Sequence, residues 1–192
     1  IIGIDSEKSK RLFDTLKQAG DKKLIPLSTS VNIKNGITCH ESTIHDNYFN
    51  EIKYEIGFLK NLQGKHNSEN IAAAFAVCRS LGLKAQEIID HVTTFPGLKH
   101  RMQYIGTKGK FSFYNDSKAT NAAAAAASLS SLGNILWLAG GIFKEESLSP
   151  IEPYLSNIRK VFLFGKDKLI LAKLLDTYKV QYTICDNMDQ AF

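Results

Sequence analysis

The chain has 192 residues, 44% of them hydrophobic and 22% charged, with 24 Lys and Arg against 19 Asp and Glu for a formal net charge of +5. That composition belongs to a folded globular chain long enough to bury one core or two smaller ones. No apolar run approaches the ~20 residues of a membrane-spanning helix, and aromatic and basic residues are not interleaved as a nucleic-acid platform requires. The three scattered cysteines, Cys39, Cys78 and Cys185, form neither a disulfide framework nor a C-x-x-C site. A cytoplasmic location with no membrane or nucleic-acid partner is therefore expected. The dispersed lysines suit either a solvated basic surface or a preference for anionic ligands.

In chain order, Ile1–Ile4 reads as a strand and Ser6 as the N-cap of a helix whose apolar positions are Leu12, Phe13 and Leu16, stopped at Gly20. Leu24–Leu27 reads as a strand. Val31, Ile33, Ile37 and Cys39 alternate around Asn35-Gly36, a hairpin signal. Ile52, Tyr54, Ile56 and Phe58 continue with strand period, and Ile71, Phe75 and Cys78 then take up helical period. Gln86–Thr93 predicts a second helix, and the "FPGLKH" stretch, Phe95–His100, a linker.

Beyond the linker the pattern predicts a hairpin over 101–116, an alanine-rich helix over Ala119–Leu132, and strands in "NILWLAGG", "KVFLFG" and "VQYTICD" alternating with helices. Strands alternating with helices imply an α/β fold with a mostly parallel sheet. Two α/β pieces joined near Gly97 are expected. The chain opens on "IIGID" without Met and closes on "NMDQAF", so a part of a longer protein is also expected.

The densest polar cluster, Asn115–Asn121, stands directly before the six alanines Ala122–Ala127. It falls between strand and helix, where open α/β sheets collect ligands and where free helix N–H groups favour phosphate or carboxylate. Lys118 would add positive charge there, and Asp116 could accept hydrogen bonds from hydroxyls. The same residues also read as a helix cap by Asn115, Asp116 or Ser117. Gly140 and Gly141 would turn the chain after a strand and bring Lys144 to the same sheet edge, or leave it on an ordinary loop. Asn67 and Asn70 lie one turn apart, able to read a donor–acceptor edge such as adenine's or simply to start a helix. "GTKGK" has two residues between its glycines where a phosphate loop needs four. Cys39, His40, His45 and Asp46 follow no zinc spacing.

In this order, "GKHNSENIAAAFA", "FPGLKHR", "NDSKATN" and "LAGG" followed by Lys144 resemble the Mur ligases, the ATP-dependent amide-forming enzymes of peptidoglycan precursor synthesis, over nearly the whole chain. "NDSKATN" is the most specific element and is similar to the branch that adds D-glutamate to UDP-N-acetylmuramoyl-L-alanine. The folylpolyglutamate synthases fit less well. The resemblance implies that Ile1–Gly97 is the latter part of a central ATP-binding domain and that residues from Leu98 onward are most of a dinucleotide-fold-like C-terminal domain. It places Asn67 and Asn70 near adenine, Arg101 and Asp116 on the phosphate and ribose side of the nucleotide, Lys118 near the reacting phosphoryl group, and Thr120 and Lys144 on the incoming D-glutamate. ATP and Mg2+ are the implied cofactors, with the Mg2+ ligands and the phosphate loop expected upstream of Ile1, and a monomer is expected. "GGIFKEE" lacks the Asp-Gly often found before the family's lysine, which weakens the match at Lys144.

Overall fold

Ser6 is extended (φ −97°, ψ 147°) and its hydroxyl accepts the Ser9 N–H, so it caps helix α1, Glu7–Gln18, as the sequence pattern requires. The computed structural model that shows this describes residues 1–20, 23–40, 42–142 and 147–192. The chain divides into two units, Ile1–Leu98 and Lys99–Phe192.

In the first unit, strands β1 (Ile2–Gly3), β2 (Pro26–Ser28), β3 (Ile37–His40), β4 (Thr43–Asp46) and β5 (Ile52–Glu55) form one sheet in that order. The first three are parallel, and β4 and β5 continue antiparallel. Helices α2 (Lys65–Ser80) and α3 (Ala85–Thr94) complete the core. Ile37, Ile44, Ala72, Phe75 and Ala76 are fully buried there, which is the helical and strand periodicity expressed as packing. Helix α1 buries none of its residues, and Leu12 is 53% exposed.

The expected hairpin around Asn35-Gly36 does not form. Residues 31–36 instead link the parallel strands β2 and β3, and β3 makes its hairpin with β4, His40 opposite Thr43. Asn35 does adopt the left-handed conformation, φ 54°. The loop is held by other bonds: Thr38 Oγ1 donates to Val31 O and accepts from Ile33 N, each at 3.2 Å, and Asn47 N donates to Gly36 O at 3.0 Å. The local turn preference is met at Asn35, but the strands on either side of it pair in parallel rather than as a hairpin. Gly36 is needed for close approach, since a Cβ there would lie 2.6 Å from Pro26 O.

The second unit opens with the antiparallel hairpin β6 (Gln103–Lys108) and β7 (Phe111–Asn115). Helix α4 follows as Ala122–Leu129, shorter at both ends than the expected Ala119–Leu132. A parallel sheet of β8 (Ile135–Gly140), β9 (Ile158–Phe164) and β10 (Tyr182–Ile184) has β9 at its centre. A 3-10 stretch, Ser149–Asn157, and helices α5 (Lys168–Thr177) and α6 (Met188–Ala191) all contact β9. Ala122, Ala126 and Leu129 enter the same core as Val161, Leu163, Ile151 and Leu175. The alanines thus give a small-radius helix that packs closely, in keeping with their high helix propensity.

Candidate functional site

The second unit folds the 100–102 corner onto the turn that follows β7. His100 and Met102 both have positive φ, 65° and 43°, on either side of Arg101. Such conformations cost a non-glycine residue roughly 1 kcal/mol or more and persist only when neighbours fix them. The neighbours are on hand. His100 N donates to Gln103 Oε1 at 3.0 Å, and His100 O accepts from Lys118 N at 3.1 Å. Met102 N donates to Asp116 Oδ1 at 2.9 Å, and the Met102 side chain is buried. The Asn115 amide meets His100 Nδ1 at 3.1 Å.

The turn itself is closed by Ser117 N to Asn115 Oδ1 (3.0 Å), Ala119 N to Asp116 O (2.8 Å) and Thr120 N to Lys118 O (3.0 Å). Arg101, Lys118 and Thr120 are exposed, whereas Asp116 is half-buried. Its second oxygen, Oδ2, accepts from Ser128 Oγ on α4. Two segments about fifteen positions apart in sequence therefore place two exposed cations on one braced corner, an arrangement suited to binding and stabilising anionic oxygen.

None of Asn115, Asp116 or Ser117 caps the alanine helix. Asn121 does, its Oδ1 accepting Ala124 N at 2.7 Å. Asn115 and Asp116 spend their side chains on the 100–102 corner instead. Lys144 lies outside the described residues.

Asn67 and Asn70 lie in the first unit, on the first turns of α2. The N-cap of that helix is Gly64 (φ 92°), and Asn67 Nδ2 turns back to Gln63 O at 2.9 Å, so Asn67 is not the cap. Asn70 Nδ2 faces Asn67 Oδ1 at 3.5 Å, which puts both carboxamides on one helix face. Asn70 is exposed and Asn67 half-buried.

Beside them is a cluster that the sequence reading missed. Asp5, just past β1, accepts from Ser28 Oγ (2.6 Å), Thr29 N (2.8 Å), Thr29 Oγ1 (2.6 Å) and Ser30 Oγ (3.1 Å). Lys65 Nζ donates to Ser30 Oγ at 2.6 Å and lies 3.6 Å from Asp5 Oδ2. Burial by itself would raise the Asp5 pKa, but the hydrogen bonds from Ser28, Thr29 and Ser30 outweigh it and bring it down to about 2. A signal was available: "IIGID" ends an apolar strand on an acid and "LSTS" ends its parallel neighbour on hydroxyls, at the sheet edge where ligands gather.

The remaining polar groups keep structural roles. Cys39 is buried in the β3–β4 hairpin, and burial pushes its thiol up to about 11 against the opposing hydrogen bond of Ser68. It is therefore a neutral thiol near pH 7. Among the described residues no group of three or more His, Cys, Asp or Glu could hold a metal ion. Gly106–Lys108 lie in β6 and Gly109-Lys110 turn the chain into β7, so the stretch is not a phosphate loop. No helix among the described residues is long and apolar enough to cross a membrane.

Residues 100–192 match the family described as Mur ligase, glutamate ligase domain. Proteins named UDP-N-acetylmuramoylalanine–D-glutamate ligase are 46% identical in Rickettsia felis and 43% in Rickettsia prowazekii, over 191 and 192 residues; each alignment takes in 100% of this chain and 42% of the relative. The chain therefore spans less than half the length of these relatives. The crystal structure of a UDP-N-acetylmuramate–alanine ligase from Thermotoga maritima matches with a TM-score of 0.58 at 12% identity, covering 92% of this chain and 46% of that one. At that identity the likeness speaks for the fold alone.

Proposed function

Because the chain belongs to the Mur ligase family, with residues 100–192 a Mur ligase C-terminal domain, we propose that it is part of an ATP-dependent ligase that adds D-glutamate to UDP-N-acetylmuramoyl-L-alanine in peptidoglycan precursor synthesis. In this reading Ile1–Gly97 is the latter part of the central ATP-binding domain, and the protein works in the cytoplasm as a monomer on small-molecule substrates. The observation that carries the proposal is the braced corner: the bonds from Lys118 N to His100 O and from Met102 N to Asp116 Oδ1 set the cations Arg101 and Lys118 on adjoining backbone.

The reaction moves a phosphoryl group from ATP to the substrate carboxylate, after which the D-glutamate amine displaces phosphate to leave an amide. Negative charge builds on the transferring phosphoryl oxygens and then on the tetrahedral oxygen. Arg101 and Lys118 would counter that charge without having to reorganise, because the strained corner already fixes their backbone. Asp116 has both oxygens engaged, so its main task is to hold that corner, and any contact with ribose would use a remaining lone pair. Asn67 and Asn70 offer paired amide groups for the adenine edge. The Thr120 hydroxyl and the Lys144 amine would hold the D-glutamate carboxylates. The Mg2+ of this reading would take its protein ligands from upstream of Ile1; among the described residues no group of three or more His, Cys, Asp or Glu could hold a metal ion.

The test is phosphate release from ATP by the complete reading frame, given UDP-N-acetylmuramoyl-L-alanine and either D-glutamate, L-alanine or a diamino acid. Release that depends on D-glutamate and disappears in Lys118→Ala supports the reading. A folded protein that binds ATP and releases no phosphate with any acceptor would instead be a binding module.

A further inference from the structure

Serine is a poor helix former beside the six alanines and one leucine that make up the rest of α4, because its hydroxyl competes for backbone groups. Ser128 stands in the last turn of α4, half-buried, and its hydroxyl leaves the helix to donate to Asp116 Oδ2. The other oxygen of that carboxylate accepts Met102 N at 2.9 Å, and Met102 is the left-handed, buried residue directly after Arg101. Ser128, Asp116, Met102 and Arg101 thus form a continuous chain from the helix to the corner.

We propose that Ser128 is a positioning residue for the nucleotide-side cation Arg101, acting through Asp116. With one oxygen fixed by Ser128, the Asp116 carboxylate cannot rotate away from the Met102 N–H. That N–H bond in turn keeps Met102 at its unfavourable φ and so determines where the Arg101 backbone lies. Hydrogen bonds to a charged acceptor are stronger than neutral ones, and losing the Ser128 hydroxyl would leave a half-buried carboxylate oxygen without its partner. The corner would then relax toward ordinary backbone geometry. No other residue is required to change.

The bond is tested on this chain by amide hydrogen exchange, and the role, which rests on the ligase reading, is tested in the complete enzyme. Ser128→Ala is expected to speed exchange at the Met102 amide about tenfold, the order given by one charge-assisted bond, while amides of β9 keep their protection. Ser128→Thr, which retains the hydroxyl, should restore it. In the complete enzyme, Ser128→Ala should raise the KM for ATP roughly three- to ten-fold with a melting temperature lowered by only a few degrees, about 2–4 °C per kcal/mol lost, both rescued by Thr. Unaltered Met102 exchange overturns the inference, and so does faster exchange with an unaltered KM. If the wild-type enzyme has no ligase turnover, the functional reading fails separately, and the exchange result still decides whether Ser128 fixes the corner.

Discussion

The backbone N–H of Lys118 donates to the carbonyl oxygen of His100 at 3.1 Å. This bond joins the two motifs that were most informative in the sequence, "FPGLKHR" and "NDSKATN", and it does so through backbone, so the side chains remain available for chemistry. The side-chain contact between the same motifs, the Asn115 amide with His100 Nδ1 at 3.1 Å, also uses neither cation.

Arg101 and Lys118 are exposed, and neither carries packing that folding depends on. Arg101→Lys keeps the charge but loses the planar fork that grips two phosphoryl oxygens. The complete enzyme is expected to lose at least about tenfold in kcat/KM with this change, while stability stays within about 0.5 kcal/mol of wild type. Steady-state kinetics and a denaturant melt together check it. A melt midpoint that falls with the activity would make Arg101 structural.

Asp5 should make stability depend on acid pH. Its folded pKa is about 2 against the ordinary value of 3.8, so the unfolded chain binds its proton at higher pH than the native one. The stabilisation is fully present above the unfolded value and is lost as pH falls through about 2. Urea unfolding of wild type and Asp5→Asn should therefore show a constant gap from pH 7 to about pH 5 that narrows below about pH 4. A gap that widens on acidification would contradict the assignment.

Asp46 is fully buried, and Arg79 Nε lies 3.7 Å from its Oδ2, with the Arg79 guanidinium over the Phe49 ring. Asp46 Oδ1 accepts Phe49 N at 2.8 Å. Removing the cation leaves an uncompensated buried carboxylate, which costs about 3–5 kcal/mol. Arg79→Met should destabilise the chain by about that much, and adding Asp46→Asn should recover part of it. With Asp46→Asn alone completing the cycle, a double variant whose cost equals the sum of the two singles would show that the pair is not coupled.

Gly36→Ala should be costly although glycine-to-alanine changes in loops are often favourable. The new methyl would meet Pro26 O at 2.6 Å and the Ile33 side chain at 2.5 Å. Overpacking of this kind costs typically 1–3 kcal/mol. A thermal melt decides it, and a rise in midpoint would mean that the 31–36 loop can move aside.

The sequence by itself determined the elements whose signals are local. Ser6 capping α1, the Gly109 turn of the β6–β7 hairpin, the helical period of Ile71 and Phe75, and the strand–helix junction at 115–121 all rest on interactions within a few residues, and each is present in the fold. The relation between "NDSKATN" and the family was also legible, because it depends on residue identity and order. What the tertiary structure alone decided is which groups meet. Asn35-Gly36 signalled a turn and formed one, but β3 found its parallel partner in β2 and its hairpin partner in β4. Asn115 and Asp116 had the chemistry of a cap, yet the 100–102 corner claimed their side chains and left Asn121 to cap. Asp5 gathered Ser28, Thr29, Ser30 and Lys65 from two separate segments. Backbone preference acts over one turn of chain, whereas a buried or half-buried polar group is satisfied by whichever partner the packing brings within about 3 Å, and that choice is made only when the sheets and helices come together.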